Sequence, residues 1–433
     1  MRTVGLYTLG CKVSQYETEA ISEELERRGF TVLPFDSVCD AYVINTCTVT
    51  AESDRKSRQI IRRAIAKNPR AVVAVVGCYT QRDPEGVLAI DGVDIVLGTD
   101  GKLSVADEII RLLDSGRKEK FSSISDLSSS RFEPMCITTA PRTRAYVKIE
   151  DGCECKCTYC AISGARGPVR SKPMDDIIRE VEGLYRTGTR EIVLTGIETG
   201  SWGVDLGEER LADLILELDR RKSCERLRLG SLAPELVGRD FIEKVCCAEI
   251  LTPHFHISMQ SGSDKVLAGM KRRYTRARAL ENIERIRSLV PRVQFTTDLM
   301  VGFPGESDED FLLTLDFVRR VGFLDAHVFA YSRREGTPAF DYPDQIPETV
   351  KRARSSELIR VCHGVRDSIL DSIVSEGAAH SVILEDGRDG VYTAHSDSYI
   401  EFKVFAPERG QGDLVNVVPV SHKSGVVVGI IVD

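Results

Sequence analysis

Long apolar runs are missing from this 433-residue chain. The longest, Ala71 to Val76 and Val426 to Val432, have the length of a buried strand and fall well short of the roughly 18 residues a membrane span needs. No basic start followed by an apolar stretch opens the chain, so no secretory leader is expected, and a cytoplasmic location away from any membrane is. The 13 cysteines are too few for a disulfide scaffold, and their odd number in a reducing compartment points to metal or redox chemistry. Positive charge is not in excess either, with 58 basic against 66 acidic side chains and a net charge of −8. Neither a G-x4-G-K-[ST] phosphate loop nor a G-x-S-x-G elbow is present, which leaves nucleoside triphosphatase and hydrolase readings without a motif.

The charge that is present is unevenly placed. From Asp371 to Asp433 there are ten acidic and four basic residues, whereas Arg55 to Arg70 holds seven basic and no acidic side chains. Lys271 to Arg287 holds seven basic and two acidic. Such local stripes allow contact with a nucleic acid even where the global charge does not favour it.

Apolar strand-like runs and helical patterns alternate through most of the chain, so the fold class is α/β. In residues 1–115, Val4 to Leu9, Ala41 to Thr46 and Ala71 to Gly77 read as strands, with helices over Gln15 to Arg28 and Ser53 to Lys67. This predicts a Rossmann-like parallel sheet domain. Residues 116–141 are serine-rich and read as a linker. In residues 142–370, six strands, at Ala145 to Ile149, Glu191 to Thr195, Arg226 to Ser231, His254 to Met259, Gln294 to Gly302 and Asp325 to Tyr331, predict a partial (β/α)6 barrel. Its site would lie at the carboxyl ends of the strands. A charged helix near Val350 to Val374 leads to residues 371–433. There, runs at Ser381 to Leu384, Tyr399 to Phe405, Leu414 to Val420 and Val426 to Val432 predict a small antiparallel β-barrel of OB-like size.

Chemistry concentrates in the cysteines. Cys153-Glu-Cys155-Lys-Cys157-Thr-Tyr-Cys160 places four thiols in eight residues. A zinc knuckle would want a second ligand pair further on, and Cys224, Cys246 and Cys247 are not spaced for one. Cys153, Cys157 and Cys160 form C-x3-C-x2-C, three thiolates that can hold a [4Fe–4S] cluster with one iron left open. Cys11, Cys47 and Cys78 each follow a predicted strand of the first domain. In a parallel sheet those ends share one edge, so the three thiols are candidates for a second cluster, the alternative being three buried cysteines. Cys39, Cys136, Cys155, Cys224, Cys246, Cys247 and Cys362 read as structural or exposed, and His254 and His256 as core residues.

On these residues the chain resembles a radical S-adenosylmethionine (SAM) enzyme, specifically a methylthiotransferase, over essentially its whole length. Asp151-Gly-Cys153 to Cys160 is similar to the family's cluster loop. His254 to Ser263, Thr296 to Glu306 and Tyr331 to Pro338 resemble its barrel motifs. The Cys11, Cys47 and Cys78 triple resembles its auxiliary-cluster set, and the tail resembles a TRAM domain, an RNA-binding barrel. Thr8-Leu-Gly-Cys11-Lys-Val-Ser14-Gln-Tyr16-Glu17-Thr18 is similar to the branch that acts on N6-threonylcarbamoyladenosine at position 37 of tRNA, beside the anticodon. Ser14 stands where that family usually has asparagine, and Ala233 where it usually has glutamate.

The resemblance implies two [4Fe–4S] clusters and SAM. It implies cleavage of SAM to a 5′-deoxyadenosyl radical, and transfer of a methylated sulfur from the auxiliary cluster to C2 of the adenine. It places Tyr159 against the SAM adenine, Thr195 and Gly196 at its methionine part, and Gln260 at the ribose, with Gly302 allowing close backbone approach. It implies tRNA, an external electron donor and a sulfur source as partners of a monomer. Arg333 and Arg334, after the last barrel strand, are candidates for the threonylcarbamoyl carboxylate. Action on isopentenyladenosine or on a ribosomal-protein aspartate, an iron–sulfur electron carrier, and an RNA-binding protein with structural metal remain as alternatives.

Overall fold

The structure, a computed structural model, describes residues 1–116, 119–140 and 143–432. Its first sheet has strands β1 (Arg2–Thr8), β2 (Phe30–Leu33), β3 (Ala41–Thr46), β4 (Val72–Gly77), β5 (Ile95–Leu97) and β6 (Phe121–Ser123), in the order β2-β1-β3-β4-β5-β6. Every pairing is parallel. All residues of β3 and β4 are buried, because successive side chains leave opposite faces and helices cover both. Val43 and Ala74 pack with Ile21, Leu25 and Ile109 on one face, and Ile44, Val73 and Val75 with Ile60 and Ile61 on the other. β2, β5 and β6 are additions to the expected three strands.

Residues 119–140 of the serine-rich stretch are tied to both neighbouring units. Phe121–Ser123 is the edge strand β6, while Met135 and Ile137 are buried in the next core. Residues 117, 118, 141 and 142, at the ends of the expected linker, lie outside the described residues, as does Asp433.

The second unit contains β7 (Arg144–Lys148), β8 (Glu150–Asp151), β9 (Arg170–Ser171), β10 (Glu191–Thr195), β11 (Arg226–Leu229), β12 (Ser231–Leu232), β13 (His254–Ile257), β14 (Gln294–Val301) and β15 (Asp325–Ala330). Two parallel sheets, β11-β10-β7 and β12-β13-β14-β15, meet at Gly230, where one expected strand is divided into β11 and β12. The strands follow chain order, which gives the partial barrel. Side-chain caps start the helices that follow its strands: Ser263, Thr275 and Ser307 each accept from a backbone N–H in the first turn. β8 and β9 pair antiparallel, pinning the ends of the loop that carries Cys153 to Cys160.

After the helix Glu348–Glu376, five strands close a barrel in the order β16-β17-β18-β20-β19: β16 (His380–Arg388), β17 (Val391–Ser396), β18 (Glu401–Phe405), β19 (Leu414–Lys423) and β20 (Val426–Val432). β18 and β20 pair in parallel and the other contacts are antiparallel. β17 was not expected, because its buried positions are Ala394 and Ser396, which give little apolar alternation. No helix among the described residues is long and apolar enough to cross a membrane.

Candidate active site

Three strand ends of the first sheet deliver the first cysteine triple. Cys11 precedes the helix Lys12–Arg27, Cys47 follows β3, and Cys78 opens the short helix Cys78–Arg82. β1 and β3 flank the point where the strand order reverses, the crevice at which open α/β sheets bind ligands. Gly77 has φ +111°, and a Cβ there would meet Asn45 Oδ1 and Thr46 O at 2.6 Å, so glycine lets Cys78 come close to β3. Burial pushes the Cys47 thiol up to about 11, and Cys78 and Cys11 push the same way, so the three thiols sense one another. Ser14, the departure from the family's asparagine, is buried, with its Oγ 3.8 Å from Cys11 Sγ.

Behind Cys78 lies a buried charge hub that joins the two units. Arg166 Nε donates to Cys78 Sγ at 3.1 Å, and its Nη1 reaches Glu17 and Asp151. Lys148 bridges Glu17 at 2.9 Å and Asp151 at 2.6 Å, and Lys102 pairs with Glu17. Burial alone would raise the Glu17 carboxyl, but Arg166, Lys102 and Lys148 hold it well below its usual range. Asp151 stands two residues before Cys153, so one guanidinium contacts both cysteine regions.

The second triple sits on the loop between β8 and β9. Gly152 has φ +94° and no room for a Cβ, which would lie 1.8 Å from Pro168 O. Cys157 Sγ accepts from Arg272 Nη1 at 3.2 Å, and Cys160 Sγ from the Ile162 N–H at 3.4 Å. Such donors favour thiolate. Among the described residues a different set of ligand atoms clusters here: those of Cys153 and Cys155 in the loop and of Glu198, just after β10, lie within 4.8 Å of one another. The Cys155 thiol is turned towards Glu198 at 4.0 Å. Burial lifts the Glu198 carboxyl to about 7, with Arg272 opposing and Glu235 adding. Ala233, at the family's glutamate position, is buried, and its backbone N–H is directed at the Glu198 carboxylate.

A cavity of about 480 Å³ runs from the Cys11 loop into the barrel; Cys47 and Cys78 do not line it. Gly10, Cys11, Lys12 and Gln15 line it from one unit, and Thr195, Gly196, Ser231, His254, His256, Asp298 and His327 from the barrel. Tyr399 of the tail closes it, stacked on His254 at 4.5 Å between ring centres. A polar chain lines the wall. Thr296 Oγ1 bonds both His254 and His256 at 2.9 Å, and Asp298 bonds His256 at 3.0 Å and His327 at 3.2 Å. The two histidines expected in the core therefore face this space.

Comparison with known proteins follows the same division. A sequence profile described as the Radical SAM superfamily matches residues 147–318, and one described as uncharacterized protein family UPF0004 matches residues 3–98. The chain is 37% identical over 425 residues to the threonylcarbamoyladenosine tRNA methylthiotransferase MtaB of Bacillus subtilis, covering 96% of this chain and 93% of that one. The protein of the same name from Thermotoga maritima is 35% identical, with coverages of 98% and 96%. The chain belongs to the radical-SAM methylthiotransferase family. A tRNA-2-methylthio-N(6)-dimethylallyladenosine synthase of Carboxydothermus hydrogenoformans is 33% identical, covering 88% of this chain and 87% of that one. Among solved structures, the radical SAM methyltransferase TsrM from Kitasatospora setae shares the fold, with a TM-score of 0.58 at 15% identity, covering 92% of this chain and 82% of that one.

Membership of the radical-SAM methylthiotransferases implies SAM and a [4Fe–4S] cluster, and the residues fit both. The loop carries the C-x3-C-x2-C thiols, with N–H donors already aimed at Cys157 and Cys160. Buried oxygens without partners, Gln260 Oε1 and Glu198 Oε1, are acceptors that a ligand's hydroxyl or ammonium group would satisfy. Thr195 and Gly196 stand at the carboxyl end of β10 on the cavity wall. Gln260 holds φ +64° beside β14. Tyr159 packs on a separate apolar cluster with Phe303 and Tyr331. Gly302 is filled from behind, since a Cβ there would meet Lys351 Cγ at 2.4 Å.

Arg333 and Arg334 do not reach the cavity. Arg334 is buried and donates to Thr48 Oγ1 and Asp54 at 2.7 Å, and Arg333 donates to Phe340 O at 2.7 Å and lies over its ring. Residues that sequence reasoning missed are Arg166, Arg272, Glu198 and Lys12. None carries a spacing signal of its own, although Lys12 lies inside the Thr8 to Thr18 segment and Arg272 inside the Lys271 to Arg287 stripe, and Arg166 and Glu198 are within six residues of Cys160 and Gly196.

Proposed function

We propose that the protein transfers a methylthio group to C2 of N6-threonylcarbamoyladenosine at position 37 of tRNA. Near full-length similarity to two relatives named for that activity carries the reading. The cavity that joins the Cys11 loop to the barrel supports it. Cys153, Cys157 and Cys160 would hold the cluster that binds SAM, and Cys11, Cys47 and Cys78 a second [4Fe–4S] cluster. Bound there, these groups would supply radical chemistry and a transferable sulfur.

The protein's own part is to bind, orient and exclude water. Thr195 and Gly196 would hold the methionine part of SAM and Gln260 its ribose, with Tyr159 against the adenine and Gly302 shaping the strand end. Arg166 and Arg272 donate to the Cys78 and Cys157 sulfurs and oppose the burial that pushes both thiols up. Tyr399 and the histidine-lined wall close the far end of the cavity.

For the tRNA backbone, both basic stripes offer unpaired cations. Lys56, Arg62 and Lys67 of the helix Ala51–Lys67 have no ion pair among the described residues, and neither do Lys271, Arg273 and Arg278 of the second stripe, while Arg55 and Arg63 of the first and Arg276, Arg285 and Arg287 of the second are engaged with carboxylates. We read residues 1–115 as the auxiliary-cluster domain, 142–370 as the SAM barrel and 371–433 as the RNA-binding tail of a cytoplasmic monomer fed by an external electron donor and sulfur source.

The test gives the reconstituted enzyme SAM, sulfide and reductant with two tRNAs, one carrying threonylcarbamoyl and one isopentenyl. Methylthiolation of the first supports the reading. Methylthiolation of the isopentenyl tRNA alone, or of neither while a ribosomal protein is modified, overturns it.

A further inference from the structure

A carboxylate drawn out of water needs a charged partner, and the threonylcarbamoyl group carries one where an isopentenyl group is wholly apolar. The cations around the cavity are nearly all engaged. Arg228 is bound to Glu191 at 2.7 Å, and Arg144 to Glu385 at 3.0 Å. His256 and His327 are bound to Asp298. Lys12 lines the same cavity and, among the described residues, has no hydrogen-bond or ion-pair partner. It is also the neighbour of Cys11, at the first turn of the helix Lys12–Arg27. In the adenine ring, C2 and the N6-bearing carbon flank N1 on one edge. A sulfur delivered to C2 therefore arrives beside the N6 substituent, and a cation one residue from Cys11, a ligand of the cluster that would supply that sulfur, is placed to meet that substituent's acid group.

We propose that Lys12 binds the carboxylate of the threonylcarbamoyl group and so selects this substrate over adenosines with apolar N6 substituents. The proposal rests on the substrate reading given above. Lys12 replaces Arg333 and Arg334, neither of which lines the cavity, Arg334 being held by Asp54.

The experiment uses the reconstituted full chain, wild type and Lys12→Gln and Lys12→Arg, with anticodon stem-loop RNAs bearing threonylcarbamoyladenosine, its neutral methyl ester, or isopentenyladenosine. Binding is measured by fluorescence anisotropy and turnover by nucleoside mass spectrometry, with iron content checking that each variant is folded. Wild type should favour the acid over the ester by roughly 10- to 100-fold, the range of a hydrogen bond to a charged group. In Lys12→Gln that preference should collapse through KM, and Lys12→Arg should restore part of it. Retention of the full acid-over-ester preference in Lys12→Gln overturns the proposal. So does equal weakening of acid and ester, which would mark a phosphate contact, or a weakened SAM affinity with RNA discrimination intact. If wild type itself fails on the acid and acts on the isopentenyl RNA, the substrate reading falls instead.

Discussion

The two cysteine triples are assembled by opposite routes. Cys153, Cys157 and Cys160 lie within eight residues on one loop, braced by β8 and β9. Cys11, Cys47 and Cys78 are scattered over 68 positions and meet because three parallel strands end at one edge. The first set needs a turn and the second needs a whole sheet. Each is backed by an arginine donating to sulfur, Arg272 to Cys157 and Arg166 to Cys78. Arg272 makes one further ionic contact, to Glu235 at 3.5 Å, whereas Arg166 is locked into a hub of four other charged groups. The local triple can therefore be disturbed by itself, and the distributed one carries the joint between the two units with it.

The largest effect should separate the triples. Reconstituted wild type should hold about eight irons per chain. Replacing Cys153, Cys157 and Cys160 by alanine should remove half the iron and abolish SAM cleavage. Replacing Cys11, Cys47 and Cys78 should also remove half, leave SAM cleavage measurable and abolish methylthio transfer. Full iron in the second variant would remove the auxiliary site from the account.

Next in size is the hub. Arg166→Met leaves Glu17 and Asp151 buried with fewer cations, a change that costs about 3–5 kcal/mol for a broken buried pair. A marked fall in melting temperature is expected, together with loss of auxiliary iron. Arg272→Gln should cost less, about 1–3 kcal/mol for one charged hydrogen bond, and should shift the reduction potential of the barrel cluster while auxiliary iron stays bound. Equal behaviour of the two variants would contradict the contrast drawn here.

The smallest effect belongs to Cys155. Its thiol lies with Cys153 and Glu198, but only the C-x3-C-x2-C set matches the family loop, so Cys155→Ala should keep its iron and stay within a few-fold of wild-type activity. Loss of one cluster's iron in that variant would give the ligand role to Cys155.

Much of this was legible in the sequence because it is local. The six barrel strands and the helix Arg276–Leu289 follow from apolar periodicity, and the cysteine loop follows from spacing. β17 was hidden because alanine and serine fill its buried positions, and β6 because Phe121-Ser-Ser123 reads as linker. The site's charged residues were hidden for another reason. Arg166 and Glu17 are 149 positions apart, and nothing in either neighbourhood signals that folding buries them together. Arg333 and Arg334 show the converse: strand-end position suggested a site role, but Asp54, 280 positions away, claims Arg334, and Arg333 lies exposed against Phe340.

Nucleoside mass spectrometry of tRNA from cells with and without this protein tests the central claim most directly. The account predicts that loss of the protein removes 2-methylthio-N6-threonylcarbamoyladenosine and leaves its unthiolated precursor in its place. An unchanged level of that nucleoside, with loss of the 2-methylthio derivative of isopentenyladenosine, would contradict it.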